Sequence, residues 1–317
     1  FNTVLYTGDG NATQNVTVGF DPDFTWIKSR SSGSGHHSLI DSVRGDVALN
    51  SNQTNSEYGV GAFNSNANGT IDVPYYANDY SMNTSSATYV AWNWLAGGSA
   101  SSNSNGTITS SVSANTEAGF SIVGYTGTGS AGTVGHGLSS APEMIIQKMR
   151  KPSSAENWTV FHKDLTSANY AVRLNLTNAQ FDGSGNYFSA TSSTTFSIGS
   201  TSQVNENTKT SIAYCFHSVD GYSKVGSYIP NQNADGTFIY LGFRPAFFLA
   251  KNISRSQEWA MHDNKRTAEH NPSNGTLYPD SSSAEYTGND IDFLSNGVKL
   301  RNSGGSLNYA TGDTMIY

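Results

Sequence analysis

A chain of 317 residues is long enough for two or three domains, and its 13% of charged residues with a net charge of −7 excludes a general nucleic-acid binder, which needs a clustered basic face. Gly, Ser, Thr and Asn fill much of what 12% aromatics leave, a balance that is poor for helices and suits short strands joined by turns. No run approaches the ~18 apolar residues of a membrane span, so no membrane insertion is expected, and the single cysteine, Cys215 in SIAYCF, excludes an intrachain disulfide and reads as a small core hydrophobe.

The chain opens on TVLYTGDG, an apolar alternation through Tyr6 that runs into a Gly-rich turn. GFDPDFTWIK (19–28) follows. Strand periodicity puts Phe24 and Trp26 on one face and Asp23, Thr25 and Ile27 on the other. Pro22 is expected to start this strand, where a missing N–H costs least. After a polar loop come HSLID (37–41), FNSNANGTIDV (63–73) and TYVAWNW (88–94). The segment 96–119 is polar apart from Ile108 and Val112, able to pair as a short ribbon, and reads as a linker.

The same succession then returns twice. SIVGYTGTG, GLSSAPEMIIQK (137–148), WTVFH (158–162), TFSIG (195–199) and TSIAYCF (210–216) form the second pass. KVGSYIPN, GFRPAFFLAK (242–251), WAMHD (259–263), FLSNGVKL (293–300) and TMIY (314–317) form the third. Pro22 and Lys28, Pro142 and Lys148, and Pro245 and Lys251 are each six residues apart, and the offsets at the prolines, 120 and 103, nearly match those at the closing threonines, 122 and 104. Such agreement marks a triplication. The expected fold is all-β: three tandem β-sandwich or jelly-roll-like modules at 1–118, 119–221 and 222–317, each a self-contained brick with one face of its strands buried. The third stops at Tyr317 partway through its closing strand and reads as truncated. Beads on a string and a pseudo-threefold ring are both open.

Chemistry is sparse. The recurrent Lys28, Lys148 and Lys251 read as strand ends whose stems cover the core while the ammonium stays in water. With the three prolines and Trp26, Trp158 and Trp259 they are assigned a structural role in the repeat. Asp41, His162 and Asp263 end equivalent strands with differing identities, which suits polar strand ends better than shared catalysis. His36–His37 has no second pair at metal-ligand spacing. No GxSxG, HExxH or Walker pattern occurs, and no two acidic residues stand out as a glycosidase pair. No catalytic residue, metal or cofactor is therefore expected. Tyr75, Tyr76 and Tyr80, in the first-copy insertion VPYYANDYSMN, place aromatic faces beside amides and carboxylates and are the candidate ligand-binding residues, against the alternative that they pack their own loop.

GFDPDFTWIKSRSS, IDSVRGDVALNSN, NGTITSSVSANTEAGFSIVGYTGTGSAGTVGHGL, APEMIIQK and FLSNGVKLR resemble the repeated modules of tailed-bacteriophage virion proteins, many marine or cyanobacterial, often described as tail-fibre or structural proteins. The resemblance covers nearly the whole chain. It implies a β-rich particle component exposed on the virion surface or extracellularly, assembled with other virion proteins and copies of itself and recognising a host-surface glycan. A capsid decoration or head fibre protein, a polysaccharide depolymerase and a cellular adhesin are the alternatives. One departure is His36–His37, where such modules more often carry an aromatic, as in Trp158 and Trp259. It weakens the functional equivalence of the three copies.

Overall fold

The computed structural model describes residues 1–75, 82–267 and 271–317, and apart from the four-residue helix Ser202–Asn205 its regular elements are all β-strands, paired antiparallel. Within the first third, the strands Asn2–Thr7, Thr88–Trp94, Phe24–Ser29 and Ser38–Asp41 lie side by side in that order. The middle third repeats the order with Phe120–Thr126, Thr210–Phe216, Met144–Met149 and Thr159–His162. The last third does so with Ser227–Tyr228, Met315–Ile316, Phe247–Asn252 and Ala260–Asp263. Register repeats as well: Lys28 stands opposite Val90, Lys148 opposite Ile212 and Lys251 opposite Ile316.

Each of these main sheets is covered on one side by a second sheet, of three strands in modules 1 and 2 and four in module 3, and β-branched and aromatic residues fill the gap between them. In module 1, Ile27, Ile40 and Ala91 meet Val16, Ile71 and Val73. In module 2, Ile145 and Ala213 meet Val134, Phe196 and Ile198, and in module 3 Phe248 and Ala250 meet Ile239, Phe293 and Val298.

The other face of each main sheet is buried too, which corrects the expectation of one-sided strands. Phe24, Trp26 and Trp92 from module 1, Phe120, Ile146 and Tyr214 from module 2, and Trp259, Met261 and Ile316 from module 3 share a fourth core. Phe24–Ser29 and Met144–Met149 are accordingly buried at every position. Phe24 and Trp26 do share a face, opposite Ile27, as alternation required. Large rings on that face would cost about 1.5–3 kcal/mol each if left in water. The modules are thus not self-contained bricks: each completes its outer face only against the other two.

Two further expectations are corrected. Pro22, Pro142 and Pro245 sit two residues before their strands rather than starting them. The residues between, Asp23 and Glu143, donate their N–H to Trp94 O and Phe216 O, so proline lies outside the ladder and costs it no donor. The segment 96–119 is no linker. Ser101–Asn103 and Ser110–Asn115 extend module 2's main sheet beyond Phe120–Thr126. Val112 lies opposite Val123, and Ile108 bridges to Val134 rather than to Val112. No helix among the described residues is long and apolar enough to cross a membrane.

Candidate functional site

The recurrent lysines do not reach solvent. Lys28, Lys148 and Lys251 are fully buried, each held by main-chain carbonyls, one of which belongs to a neighbouring module. Lys148 Nζ donates to Glu156 O at 2.8 Å and to Thr54 O of module 1 at 3.1 Å. Lys28 Nζ donates to Ser29 O at 2.8 Å and to Ser282 O of module 3 at 3.1 Å. Lys251 Nζ donates to Asn252 O and Gln257 O at 2.7 and 2.9 Å, and to Thr177 O of module 2 at 3.0 Å. Burial pulls all three ammonium groups down to about 8. The lysine lies on the same strand face as the shared-core residues two and four positions before it, so alternation carries it to the boundary rather than outward.

The contacts run from module 2 to 1, 1 to 3 and 3 to 2, which closes a pseudo-threefold ring. A second set follows the same circuit. Trp158 Nε1 donates to Asn50 O at 2.9 Å and Trp259 Nε1 to Arg173 O at 2.8 Å. In module 1 the position is His37, whose Nε2 donates to Tyr278 O at 2.9 Å while Nδ1 accepts from Trp26 Nε1 at 2.9 Å. The histidine that departs from the repeat therefore makes the same cross-boundary bond. Trp26 is not the counterpart of Trp158 and Trp259 but the support for the residue that is.

Charged strand ends complete the boundaries. The Asp41 and Asp263 carboxylates lie 2.6 and 2.5 Å from Arg44 and Arg266 Nε, with both pairs buried. They also accept from the neighbour's closing strand: Tyr214 OH donates to Asp41 at 2.8 Å, and Trp92 Nε1 to Asp263 at 2.9 Å. At the third boundary His162 Nε2 donates to Tyr317 O at 3.1 Å. The differing identities of these strand ends thus fit different neighbours. A largely apolar pocket of about 310 Å³, lined by rings of all three modules including Phe24, Phe120, Tyr214 and Phe247, opens from this shared core to the surface beside the exposed Leu95 and Tyr222.

A cleft of about 490 Å³ on module 3 has the chemistry of a ligand site. Tyr278, Tyr286 and Tyr309 line it together with Glu258, Asp290 and Asn302. Tyr286 and Tyr309 are 54% and 44% exposed, and the Arg255 guanidinium stands over the Tyr309 ring, so Tyr286 is the ring most open to a ligand. The Tyr278 and Tyr286 ring centres are 6.3 Å apart at 35°. The wall turns at Asn289, a non-glycine residue in the left-handed region at φ 55°, whose side-chain carbonyl accepts from Ser306 N at 3.0 Å. Strained backbone of this kind is held only where its surroundings overdetermine it. Next to Glu258, the Asp280 carboxyl has both oxygens buried without a hydrogen-bond partner among the described residues, and burial, with Glu258's charge, pushes it up to about 7.

Of the tyrosines expected to bind a ligand, Tyr75 is 43% exposed at the end of Thr70–Pro74, and Tyr76 and Tyr80 lie outside the described residues. The cleft was not anticipated. Its residues come from separate stretches, 257–258, 278–290 and 302–309, with no periodic spacing to link them. Compared with known proteins, the chain matches one family model, Domain of unknown function (DUF7483), over residues 1–317. No curated protein and no solved structure matches it.

Proposed function

The chain belongs to the DUF7483 family, and from that premise we propose that it is a non-catalytic structural protein of a phage virion, exposed as a fibre or appendage, that recognises a glycan on the host surface. The observation that carries the reading is the closed ring. Three copies of one module spend their recurrent lysines and indole or imidazole donors on holding one another rather than on a reactive group. Such a body displays loops outward from a rigid core. The module 3 cleft, with exposed tyrosine faces beside carboxylates and an amide, offers what sugar rings and hydroxyls pair with. On this reading the partners are other virion proteins, further copies of the chain and the host glycan, and the location is the virion surface.

A pseudo-threefold body also suits a threefold seat on a capsid, which favours a decoration or head fibre protein as the second reading. Cryo-EM of the intact particle separates the two. Density at the tail or a fibre with the module 3 cleft facing outward supports host recognition, and density tiled over the capsid lattice assigns decoration. A chain absent from the particle altogether overturns both.

A further inference from the structure

The three modules solve the same local problem differently, and the difference identifies a ligand class. Arg173 and Tyr278 are counterparts, because their carbonyls accept the equivalent bonds from Trp259 and His37. Phe181 and Tyr286 are counterparts as well, since each follows the residue whose N–H crosses the module boundary, Gln180 to Ile253 O and Glu285 to Arg30 O. In module 2 the Arg173 guanidinium lies 4.5 Å from the Phe181 ring centre and 4.7 Å from that of Tyr187. The aromatic pocket there is filled by a cation of the chain's own.

In module 3 the arginine is replaced by Tyr278, and the counterpart ring, Tyr286, stands exposed over the cleft. The described lining contains two carboxylates, Glu258 and Asp290, and no lysine, arginine or histidine. Asn302 Oδ1 is buried there without a hydrogen-bond partner among the described residues. The nearby cations are already engaged. Lys251 is spent on three carbonyls, and Arg255, 5.2 Å from the Tyr309 ring centre, is paired with Asp313, which leaves Tyr278 and Tyr286 as the cleft rings without a cation of the chain's own among the described residues. Ring faces with acceptors and no donor cation favour a positively charged group, which gains from both ring quadrupole and carboxylate. An acidic glycan would meet Glu258 and Asp290 as like charges.

We infer that the module 3 cleft takes a ligand through a protonated amine, so that the sugar recognised is an amino sugar with its amine free. This rests on the glycan reading for the carrier of the amine. Isothermal titration calorimetry of the 317-residue chain at pH 6 and low salt, with the β-1,4-linked glucosamine tetramer and its fully N-acetylated form, tests it. The free-amine tetramer binds at least tenfold more tightly than the acetylated one. Tyr286→Ala and Asp290→Asn each weaken that binding at least tenfold, with urea unfolding midpoints close to the parent's. Equal affinity for the two tetramers overturns the amine inference and leaves glycan recognition standing. Parent-like binding by both variants overturns the assignment of the cleft. If neither tetramer binds, the inference fails, and neutral and acidic oligosaccharides titrated in parallel decide whether the glycan reading fails with it.

Discussion

His37 Nε2 meets the carbonyl oxygen of Tyr278 at 2.9 Å, across the boundary between modules 1 and 3, as Trp158 Nε1 meets Asn50 O across that between modules 2 and 1. A histidine thereby does the work of an indole, and it does so as the neutral tautomer protonated at Nε2, because Nδ1 accepts from Trp26. Burial holds its pKa well below the usual value. His37→Phe keeps the ring but leaves the buried Trp26 N–H unpaired and removes the bond across the boundary, the Tyr278 carbonyl keeping only the Ser281 N–H of its own module. The expected cost is roughly 1–3 kcal/mol, read from urea unfolding, and an unchanged midpoint would remove the ring-closing role of His37.

Lys148→Ala deletes a buried stem and its donors to Thr54 O and Glu156 O. A cavity plus two deprived carbonyls gives an expected loss of about 2–4 kcal/mol. Lys148→Met, which keeps most of the volume and removes a buried charge, costs less. Equal losses for the two variants would contradict the account, since volume would then be irrelevant.

Stability has a definite pH profile. Burial lowers the His162 pKa to about 4 and that of His262 to about 3. Below about pH 6.5 the unfolded chain therefore binds protons that the folded chain refuses. Stability falls from there toward pH 4 by roughly 1.4 kcal/mol per pH unit for each histidine. On the alkaline side the three lysines, lowered to about 8, release protons in the folded state first. Stability consequently rises from pH 8 until the unfolded chain's tyrosines ionise near pH ~10. Buried Tyr6 and Tyr214, raised by burial, then reverse the slope. Melting temperatures measured from pH 5 to 11 should peak between about 9 and 10, and a steady decline from pH 7 would show that the lysine ammonium groups are not strained by burial.

The boundaries are unequal. Arg150 holds Glu57 with bonds of 2.7 and 3.0 Å, and Arg30 holds Glu285 with two of 2.9 Å. At the third boundary these positions are Ile253 and Gln180, joined by the Gln180 N–H to Ile253 O bond alone. A difference of one or two kcal/mol corresponds to a factor of about 5–30. Native-state hydrogen exchange should show the Gln180 amide exchanging faster than those of Glu57 and Glu285 by about that factor. Uniform protection would mean the ion pairs add nothing to their boundaries.

Module 2 cut out as residues 101–221 exposes Phe120, Trp158 and Tyr214. It is expected to be aggregation-prone or to lack a cooperative transition, whereas the whole chain unfolds in a single calorimetric step. An isolated module with a sharp melt would restore the self-contained brick.

The sequence by itself determined the β class, the threefold repetition of its pattern and the face-sharing of Phe24 and Trp26, because periodicity and turn residues act within a few positions of themselves. It marked the three lysines as recurrent but not their fate. A lysine closing a strand is consistent with water at its tip, and only the neighbour's carbonyls at Ser282, Thr54 and Thr177 make burial affordable. Nor could His37 be matched to Trp158 and Trp259 in role, since the shared feature is a donor aimed across a boundary, not a residue type. The ring, the shared core and the module 3 cleft join residues far apart in the chain, hydrogen bonds alone spanning 255 positions between Arg30 and Glu285. Such proximity follows from the closure of three sheets around one axis, a long-range packing solution that local pattern does not encode.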